Sequence, residues 1–409
     1  MQPKTTIQHL FSIPVIVAAL GYFVDIYDLL LFGIVRVPSL KDMGLNEEQI
    51  SDIGKNIINW QMGGLLLGGI LWGVLGDKKG RLSVLFGSII TYSLANIACG
   101  FVKDPTTYAL LRFVAGVGLA GELGAGITLV SEVLPKELRA LGSSLVAGIG
   151  LFGAVFAYFT VKEFGGWRNA YFVGGGLGIV LLVLRISVFE SGMFENLKKQ
   201  THIKKGNFFA LFTNKERLSK YLKCIAIGIP TWFVIGILAT FANEFGKAMG
   251  IAGIDPGKAI MFCYVGLAVG DLSSGVISQV LESRKKAVAI LLFLSLICSI
   301  FYLYAGIQTA FALYTTCVCA GFSVGYWAMF VTIGAEQFGT NLRATAATTI
   351  PNMVRGTVIL MTSLFAYLKP TMSIFNAAAV VGFIAFILAF YAIFTIPETH
   401  GKDLDYLEE

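Results

Sequence analysis

The sequence predicts an all-α membrane protein in which twelve transmembrane helices form two pseudo-symmetric six-helix bundles. Three features predict this fold class: the composition, the length of the apolar segments and a repeat between the two halves of the chain. Of the 409 residues, 56% are hydrophobic and 14% are charged, whereas about 25% of the residues in a typical soluble domain are charged. The charged residues lie mostly in short intervals between long apolar segments, which indicates a protein that crosses the membrane many times.

The apolar segments have the length of membrane-spanning helices. Most contain about 20 to 27 residues, which is what a helix needs to cross roughly 30 Å of hydrocarbon. The strands of an outer-membrane barrel would instead be segments of about ten residues with alternating polarity. We predict twelve spans, at residues 12–37, 54–75, 82–102, 107–132, 140–161, 168–189, 219–244, 257–281, 287–306, 309–335, 343–367 and 372–396.

The two halves of the chain resemble each other. Glu132 and Arg139 follow span 4, and Glu336 and Arg343 follow span 10 with the same spacing. A polar, basic interval separates the two sets of six spans. Duplicated bundles of this kind place a substrate site at their interface. We therefore predict three regions: an N-terminal bundle at 1–189, a cytoplasmic linker at 190–218 and a C-terminal bundle at 219–409.

The lysines and arginines predict the orientation. One set of alternate loops is rich in them, and the other set has fewer, offset by acidic residues such as Asp42 and Glu47. Because basic loops stay in the cytoplasm, we expect both termini there and the protein in the inner (plasma) membrane. The six cysteines and three histidines show no metal-ligand spacing, so we expect neither a metal nor another cofactor.

The loop between spans 2 and 3 carries a family signature. Residues 73–81 read GVLGDKKGR, which resembles the signature loop of the major facilitator superfamily, Gly-x-Leu-x-Asp-(Arg/Lys)-x-Gly-(Arg/Lys), at every defined position. Its glycines permit a tight turn between helices, and Asp77 and Arg81 can form and break ion pairs near a cytoplasmic gate. The alternative is that the basic residues only set the topology. The counterpart in the second half, residues 278–286, lacks the aspartate and the glycines.

Three further motifs resemble branches of this superfamily. Residues 25–28, DIYD, resemble the Glu-Trp-Tyr-Asp stretch in the first helix of metabolite:proton symporters, with Asp25 in place of the glutamate. Residues 112–124 resemble the fourth helix of the same group, with Ala120 where that pattern has a glycine. The ending at 397–401, PETHG, is similar to the terminal motif of sugar porters. The resemblance implies a secondary transporter that acts as a monomer.

Ionisable residues inside the first half are candidates for proton coupling. Asp25 lies at the middle of span 1, and Asp28 lies on the same helical face. The resemblance places spans 1 and 4 together, so Arg112 can pair with Asp28, and movement of this pair would couple transport to protons; the alternative is a static pair that fixes packing. Asp25 suits a second proton or the substrate, and Glu122 a proton site or an acceptor for backbone donors. Arg36 is expected to snorkel to the membrane surface.

The second half offers an arginine for an anionic substrate. Arg355 lies at the centre of span 11, and Asp271 lies near the centre of span 8. If the two neutralise each other they are structural, whereas an unpaired Arg355 in the cavity suits a carboxylate or phosphate. Pro230 could break span 7 near the site. Aromatic and amide residues at similar depth complete the candidate pocket: Tyr27, Trp60, Gln61, Trp232, Tyr326, Trp327 and Asn352.

Together these features predict a proton-coupled symporter, and not an enzyme, that moves a small polar, anionic metabolite by alternating access. A proton-driven exporter, a proton-independent facilitator and a non-transporting receptor are the alternatives. The expected partners are the substrate, protons as the coupling ion and the lipid bilayer, without nucleic acid. Cytoplasmic ion pairs would close the inner side, and their members are Asp77, Arg81, Glu132, Arg139, Glu336 and Arg343.

Overall fold

The computed structural model describes residues 11–79, 81–121, 134, 139–190 and 208–400, and these residues are helical without any strand. The helices of the first half are α1 (Ile13–Asp42), α2 (Glu47–Lys79), α3 (Arg81–Cys99), α4 (Pro105–Leu119), α5 (Arg139–Glu163) and α6 (Trp167–Glu190). A short 3₁₀ helix (Phe208–Leu211) begins the described part of the second half. It is followed by α7a (Lys215–Phe233), α7b (Ala242–Ala248), α8 (Pro256–Val280), α9 (Arg284–Tyr304), α10a (Ala310–Ser323), α10b (Trp327–Glu336), α11 (Thr340–Leu368) and α12 (Ile374–Thr395).

Short polar side chains determine where several helices begin. Asp104 precedes α4 and accepts a hydrogen bond from the backbone N–H of Thr107 at 2.9 Å. Asp255 caps α8 in the same way, and each of these helices has proline at its first position. The caps satisfy backbone N–H groups that have no partner within the helix, and proline has no N–H to satisfy there. The polar ends of the predicted spans therefore mark real helix boundaries.

Glycines bring two pairs of helices into backbone contact, once in each half. Helices α2 and α4 cross at Gly64 and Gly116, where an added Cβ would lie 2.1 and 2.2 Å from a carbonyl oxygen of the other helix. Helices α8 and α10a cross in the same way at Gly266 and Gly321, with distances of 2.0 and 1.9 Å. Only glycine permits so close an approach. These matched crossings are a structural counterpart of the repeat seen in the sequence.

The surface of the described bundle carries many exposed apolar side chains, such as Phe311 and Leu360. By length and composition, eight helices of the described part could each cross a membrane. Helices α2, α3, α4 and α11 are outside that group. Two of them, α2 and α11, carry polar residues where the two halves meet: Thr362 Oγ1 donates to Asn59 Oδ1 at 2.7 Å. An apolar outer surface around a partly polar interface is the arrangement expected of a transporter bundle.

Two predicted spans of the second half are interrupted. Span 7 remains helical through Pro230, widens into a π-helical segment at Val234–Ala239 and ends near Thr240. The interruption therefore lies beyond the proline that was expected to cause it. Span 10 is interrupted between α10a and α10b, where an added Cβ on Gly325 would lie 2.5 Å from backbone atoms of Gly270 in α8. Local widening of a helix is frequent at functional sites.

Candidate functional site

Arg112 is held by oxygen atoms from three other helices. Its Nη1 lies 2.8 Å from Asn96 Oδ1 and 3.4 Å from Asp28 Oδ1. Its Nη2 donates to the Asp28 carbonyl oxygen at 3.0 Å, and its Nε donates to Gln61 Oε1 at 3.3 Å. The side chains of Asp28 and Arg112 are both fully buried. The ion pair that the sequence predicted is therefore present, and neutral amides help to keep the guanidinium in place.

Arg355 pairs with Asp25 across the interface between the halves. Its Nη2 lies 3.6 Å from Asp25 Oδ2, and both side chains are buried. Its Nη1 also donates to Asn352 Oδ1 at 3.4 Å. Arg355 is thus paired with Asp25, so the predicted neutralising pair with Asp271 is wrong, while its predicted role toward a substrate anion stays a prediction. Residues three apart on a helix point about 60° away from each other, so Asp25 reaches α11 whereas Asp28 reaches α4.

Asp271 caps a helix instead of neutralising Arg355. Its Oδ1 accepts a hydrogen bond from the backbone N–H of Ala328 at 2.9 Å, in the first turn of α10b. Tyr326, the residue just before that helix, provides no side-chain cap. A carboxylate at a helix N-terminus satisfies a free N–H and interacts favourably with the helix dipole. The interruption of span 10 therefore explains a buried aspartate that the sequence left ambiguous.

A small cavity lies beside Arg355. Its volume is about 10 Å³, which is room for about one water molecule. A second cavity, of about 20 Å³, shares Trp232 and Ile235 with it. Pockets for small-molecule ligands are roughly 300 Å³ or larger, so this cavity must widen before a metabolite can bind in it. Both halves contribute polar and aromatic residues to the first cavity: Tyr22, Thr231, Trp232, Tyr264, Trp327 and Arg355.

Two of the predicted aromatic residues, Trp232 and Trp327, line this cavity. Their rings are edge-to-face with centroids 6.5 Å apart, and the guanidinium carbon of Arg355 lies 6.0 Å from the Trp327 ring. Flat apolar walls beside a cation suit a planar anion. Tyr22 and Tyr264 were missed from the sequence. Tyr22 lies three residues before Asp25 on a similar face of α1, and that spacing was the signal that could have identified it.

Three predicted pocket residues lie elsewhere. The Tyr27 hydroxyl donates to the Ala170 carbonyl oxygen at 2.7 Å, inside the first half. Tyr326 is fully buried, and its hydroxyl donates to the Ile227 carbonyl oxygen at 3.1 Å. Trp60 is 47% exposed, on the same outer face of α2 as other exposed apolar residues. Their depth in the membrane suggested a shared pocket, but the direction of each side chain takes it away from the cavity.

The predicted amide residues hold the site together. Gln61 lines the second cavity, donates to a backbone carbonyl of α1 at 2.8 Å and holds Arg112 through its oxygen. Asn352 Nδ2 donates to the Ala120 carbonyl oxygen at 3.0 Å, which joins the second half to the first. Asn96, which also holds Arg112, was missed although it is a lone amide in the middle of span 3. Amides thus position both arginines.

Part of the predicted cytoplasmic gate falls within the described residues. Glu336 accepts a hydrogen bond from Arg284 Nη2 at 2.7 Å, which joins the end of α10b to the start of α9. The other predicted members lie outside the described part, Glu132 entirely and Asp77, Arg81, Arg139 and Arg343 as side chains. Glu122 lies outside it as well. The roles of these residues stay predictions.

Glu398 of the C-terminal motif fastens the last helix to the start of α9. It accepts hydrogen bonds from the Ser283 hydroxyl and from the backbone N–H groups of Lys285, Thr399 and His400. Partial burial acts to raise the pKa of Glu398, but these hydrogen bonds outweigh it and lower the pKa to about 2. The carboxylate is therefore ionised at physiological pH, the form that accepts these hydrogen bonds.

Comparison with known proteins covers almost the whole chain. A profile described as Major Facilitator Superfamily matches residues 18–361. A Haemophilus influenzae protein assigned to metabolite transport is 28% identical over 95% of this chain and 96% of its own length. The gentisate transporter of Corynebacterium glutamicum is 24% identical over 79% of this chain and 73% of its own.

A solved structure shares the fold. The proton:xylose symporter XylE, bound to 6-bromo-6-deoxy-D-glucose, matches with a TM-score of 0.69 over 97% of this chain and 98% of its own, at 16% sequence identity. This match and the family profile confirm the predicted twelve-helix fold of two bundles. The chain belongs to the Major Facilitator Superfamily, and it is a transporter and not an enzyme.

Proposed function

We propose that this transporter is a symporter that carries a small organic carboxylate together with protons by alternating access. One observation carries the proposal: α1 contributes one aspartate to each of two buried ion pairs, Asp25 with Arg355 and Asp28 with Arg112. Ionisable groups inside a membrane are expensive and mark substrate or ion pathways. The relative named for gentisate, an aromatic acid, supports a carboxylate as the substrate.

In the proposed mechanism, Asp25 and the substrate carboxylate compete for Arg355. Without substrate, Asp25 neutralises the guanidinium across the interface. A substrate carboxylate has the same chemistry and can use both arms of the guanidinium fork. One guanidinium beside two carboxylates leaves an excess negative charge, and a proton on Asp25 removes it. Substrate and proton therefore enter the site together, and Trp232 and Trp327 form apolar walls around the substrate.

Asp28 is the second proposed proton site. Asn96 and Gln61 hold Arg112 independently of the Asp28 carboxylate, so a proton on Asp28 leaves the arginine in place. The two aspartates share α1, which also contacts the second half through Asp25. Loss of the Asp28 charge would therefore change the electrostatic forces on α1, the helix whose Asp25 contacts the second half. This is how protonation of Asp28 would favour one side of alternating access.

We place the protein in the inner membrane as a monomer, with its basic loops and both termini in the cytoplasm. The end of α1 that carries Arg36 then faces outside, and the loop after α2 faces the cytoplasm. Ion pairs at the cytoplasmic end would hold the outward-open state shut on the inside. The proposed members of this gate are Asp77, Arg81, Glu132, Arg139, Glu336 and Arg343, with Glu122 nearby as a further proton site or a structural acceptor.

Uptake into proteoliposomes tests the proposal. With purified protein and an alkaline interior, we expect labelled gentisate and benzoate to accumulate above equilibrium and a protonophore to abolish the accumulation. Asp28→Asn should abolish accumulation while exchange between loaded vesicles and medium continues, because exchange needs no net proton movement. Asp52→Asn is the matched control, since Asp52 is exposed and pairs only with Lys55 among the described residues.

Each alternative function predicts a different result in the proteoliposome assay. Equilibration without accumulation would indicate a facilitator, and movement against the imposed direction would indicate a proton-driven exporter. Accumulation that is unchanged in Asp28→Asn would make the pair with Arg112 a static packing feature. The absence of any movement of either acid would remove aromatic carboxylates as the substrate class.

A further inference from the structure

Arg36 is buried near the end of α1, eleven residues beyond Asp25, although its position predicted snorkelling. Its Nη2 donates to the Thr240 carbonyl oxygen at 2.9 Å and to Asn243 Oδ1 at 3.0 Å. Its Nη1 lies 3.7 Å from Glu244 Oε1. These three partners belong to the second half, at the interruption of span 7 and in α7b. A cation of the first half is thus held by groups of the other half.

Glu244 also forms an ion pair with a lysine. Lys369 Nζ, just after α11, lies 2.6 Å from Glu244 Oε2 and 3.1 Å from Ser51 Oγ. Two cations therefore share one carboxylate, and Arg36, Glu244 and Lys369 together carry a net charge of +1. Arg36 Nε has no hydrogen-bond acceptor in the part of the chain that the structure describes, and Nη1 faces Glu244 Oε1 at 3.7 Å, which is too far for a hydrogen bond. The guanidinium also lies against the Phe241 ring, 4.6 Å from its centroid. The pair with Glu244 is therefore loose, and a carboxylate that approaches the guanidinium more closely would bind it better.

The first half packs against the aliphatic stem of the arginine, whereas the second half holds its guanidinium. The aliphatic stem of Arg36 lies against α2 at Gly54, where an added Cβ would come within 2.7 Å of Arg36 Cδ. Glycine at this position makes a groove for the stem. When the halves separate at this end, Thr240 and Glu244 leave with the second half while the arginine stays in its groove. Separation therefore exposes a preorganised guanidinium whose former partners have gone.

We propose that Arg36 binds a carboxylate in the open vestibule, and that Glu244 occupies the same position as an internal substitute when this end is closed. The ligand is a small organic carboxylate, so the inference rests on the substrate class of the proposed function. The ligand and Glu244 compete for one guanidinium, so the ligand stabilises the open vestibule. Arg36 lies about 16 Å along α1 from Asp25. A substrate thus meets Arg36 first and Arg355 second.

Opposite effects of two substitutions test this site. If the pair of Arg36 and Glu244 only held this end closed, Arg36→Gln and Glu244→Gln would change the gentisate Kd in the same direction, because each breaks the same pair. A ligand site predicts opposite directions: Arg36→Gln should raise the gentisate Kd about tenfold, and Glu244→Gln should lower it severalfold because the internal competitor is gone. Arg36→Lys keeps the charge, so its gentisate Kd should lie between those of Arg36→Gln and the parent protein. A Kd for Glu244→Gln that is unchanged or higher overturns the proposal, even if Arg36→Gln fails to fold.

A distance measurement separates this inference from transport. Spin labels on Glu48→Cys and Ala252→Cys, in a chain whose own cysteines are replaced, report the separation of the halves at this end, because both positions are exposed. Benzoate should shift the distribution to longer distances, and neutral benzamide should not. Arg36→Gln should remove the response. No benzoate response, or an equal response in Arg36→Gln, overturns the site, whereas a response without transport rejects only the proposed function.

Discussion

Replacing Asp25 by asparagine tests whether Asp25 and the substrate compete for Arg355. The change keeps the shape of the side chain and removes one charge from a pair 3.6 Å apart. At an effective dielectric constant of about 20, two unit charges at that distance attract by about 5 kcal/mol. Desolvation of both groups offsets much of this attraction, and Asn352 still accepts a hydrogen bond from Arg355. We therefore expect the substrate to gain about 1.4 kcal/mol, which is tenfold in Kd.

Equilibrium binding of labelled gentisate to the purified protein measures this gain. At pH 7.5 the Asp25→Asn variant should bind about tenfold more tightly than the parent protein, by the conversion given above. Binding to the parent protein should strengthen as the pH falls, because a proton on Asp25 releases Arg355, and binding to the variant should lose this dependence. Asp52→Asn is the control, since it makes the same chemical change at an exposed carboxylate that lines neither cavity. Unchanged or weaker binding by Asp25→Asn, or an equal change in the control, would refute the competition.

Three other predictions concern the site and the fold. Arg355→Lys keeps the charge but loses the fork, so its gentisate Kd should rise about tenfold; an unchanged Kd would place the carboxylate elsewhere. Gly64→Ala should lower the melting temperature in detergent strongly, because its Cβ would lie 2.1 Å from a carbonyl oxygen, whereas Gly63→Ala meets no atom within 4 Å and should have little effect. The pKa of Glu398 lies below its ordinary value of 4.5, at about 2, so its stabilising effect is complete above pH 4.5 and is lost as the pH falls toward 2. Glu398→Gln should therefore lower the melting temperature at pH 6 and reduce its fall below pH 4.5, and equal acid sensitivity in both proteins would contradict this role.

Many features of the fold could be predicted because they depend on local chemistry. Polar residues such as Asp104 mark helix starts through hydrogen bonds that span only a few residues. The pairing of Asp28 with Arg112 was also predictable, once the resemblance placed spans 1 and 4 together. Interruptions were harder to locate. Pro230 was the visible signal in span 7, yet the widened segment lies at Val234–Ala239, which begins four residues beyond the proline.

The candidate site could be predicted only in part. Depth along a span indicated which residues lie near the middle of the membrane, but it gave no direction for a side chain. Tyr27, Tyr326 and Trp60 share that depth and point away from the cavity, whereas Tyr22 faces it. A rotation of 100° per residue turns neighbouring side chains to different helices. The arrangement of those helices is needed to tell a pocket residue from a packing residue.

By itself, the sequence determined the number of spans, because membrane thickness imposes a length and an apolar composition on each of them. Its motifs indicated a transporter through their resemblance to the major facilitator superfamily. Only the tertiary structure decided the partners of the buried charges. It joins Asp25 to Arg355, Asp271 to the start of α10b, and Arg36 to Glu244. A buried charge is stabilised by whichever partner the packing brings within a few ångströms, and these partners lie on helices far apart in the sequence.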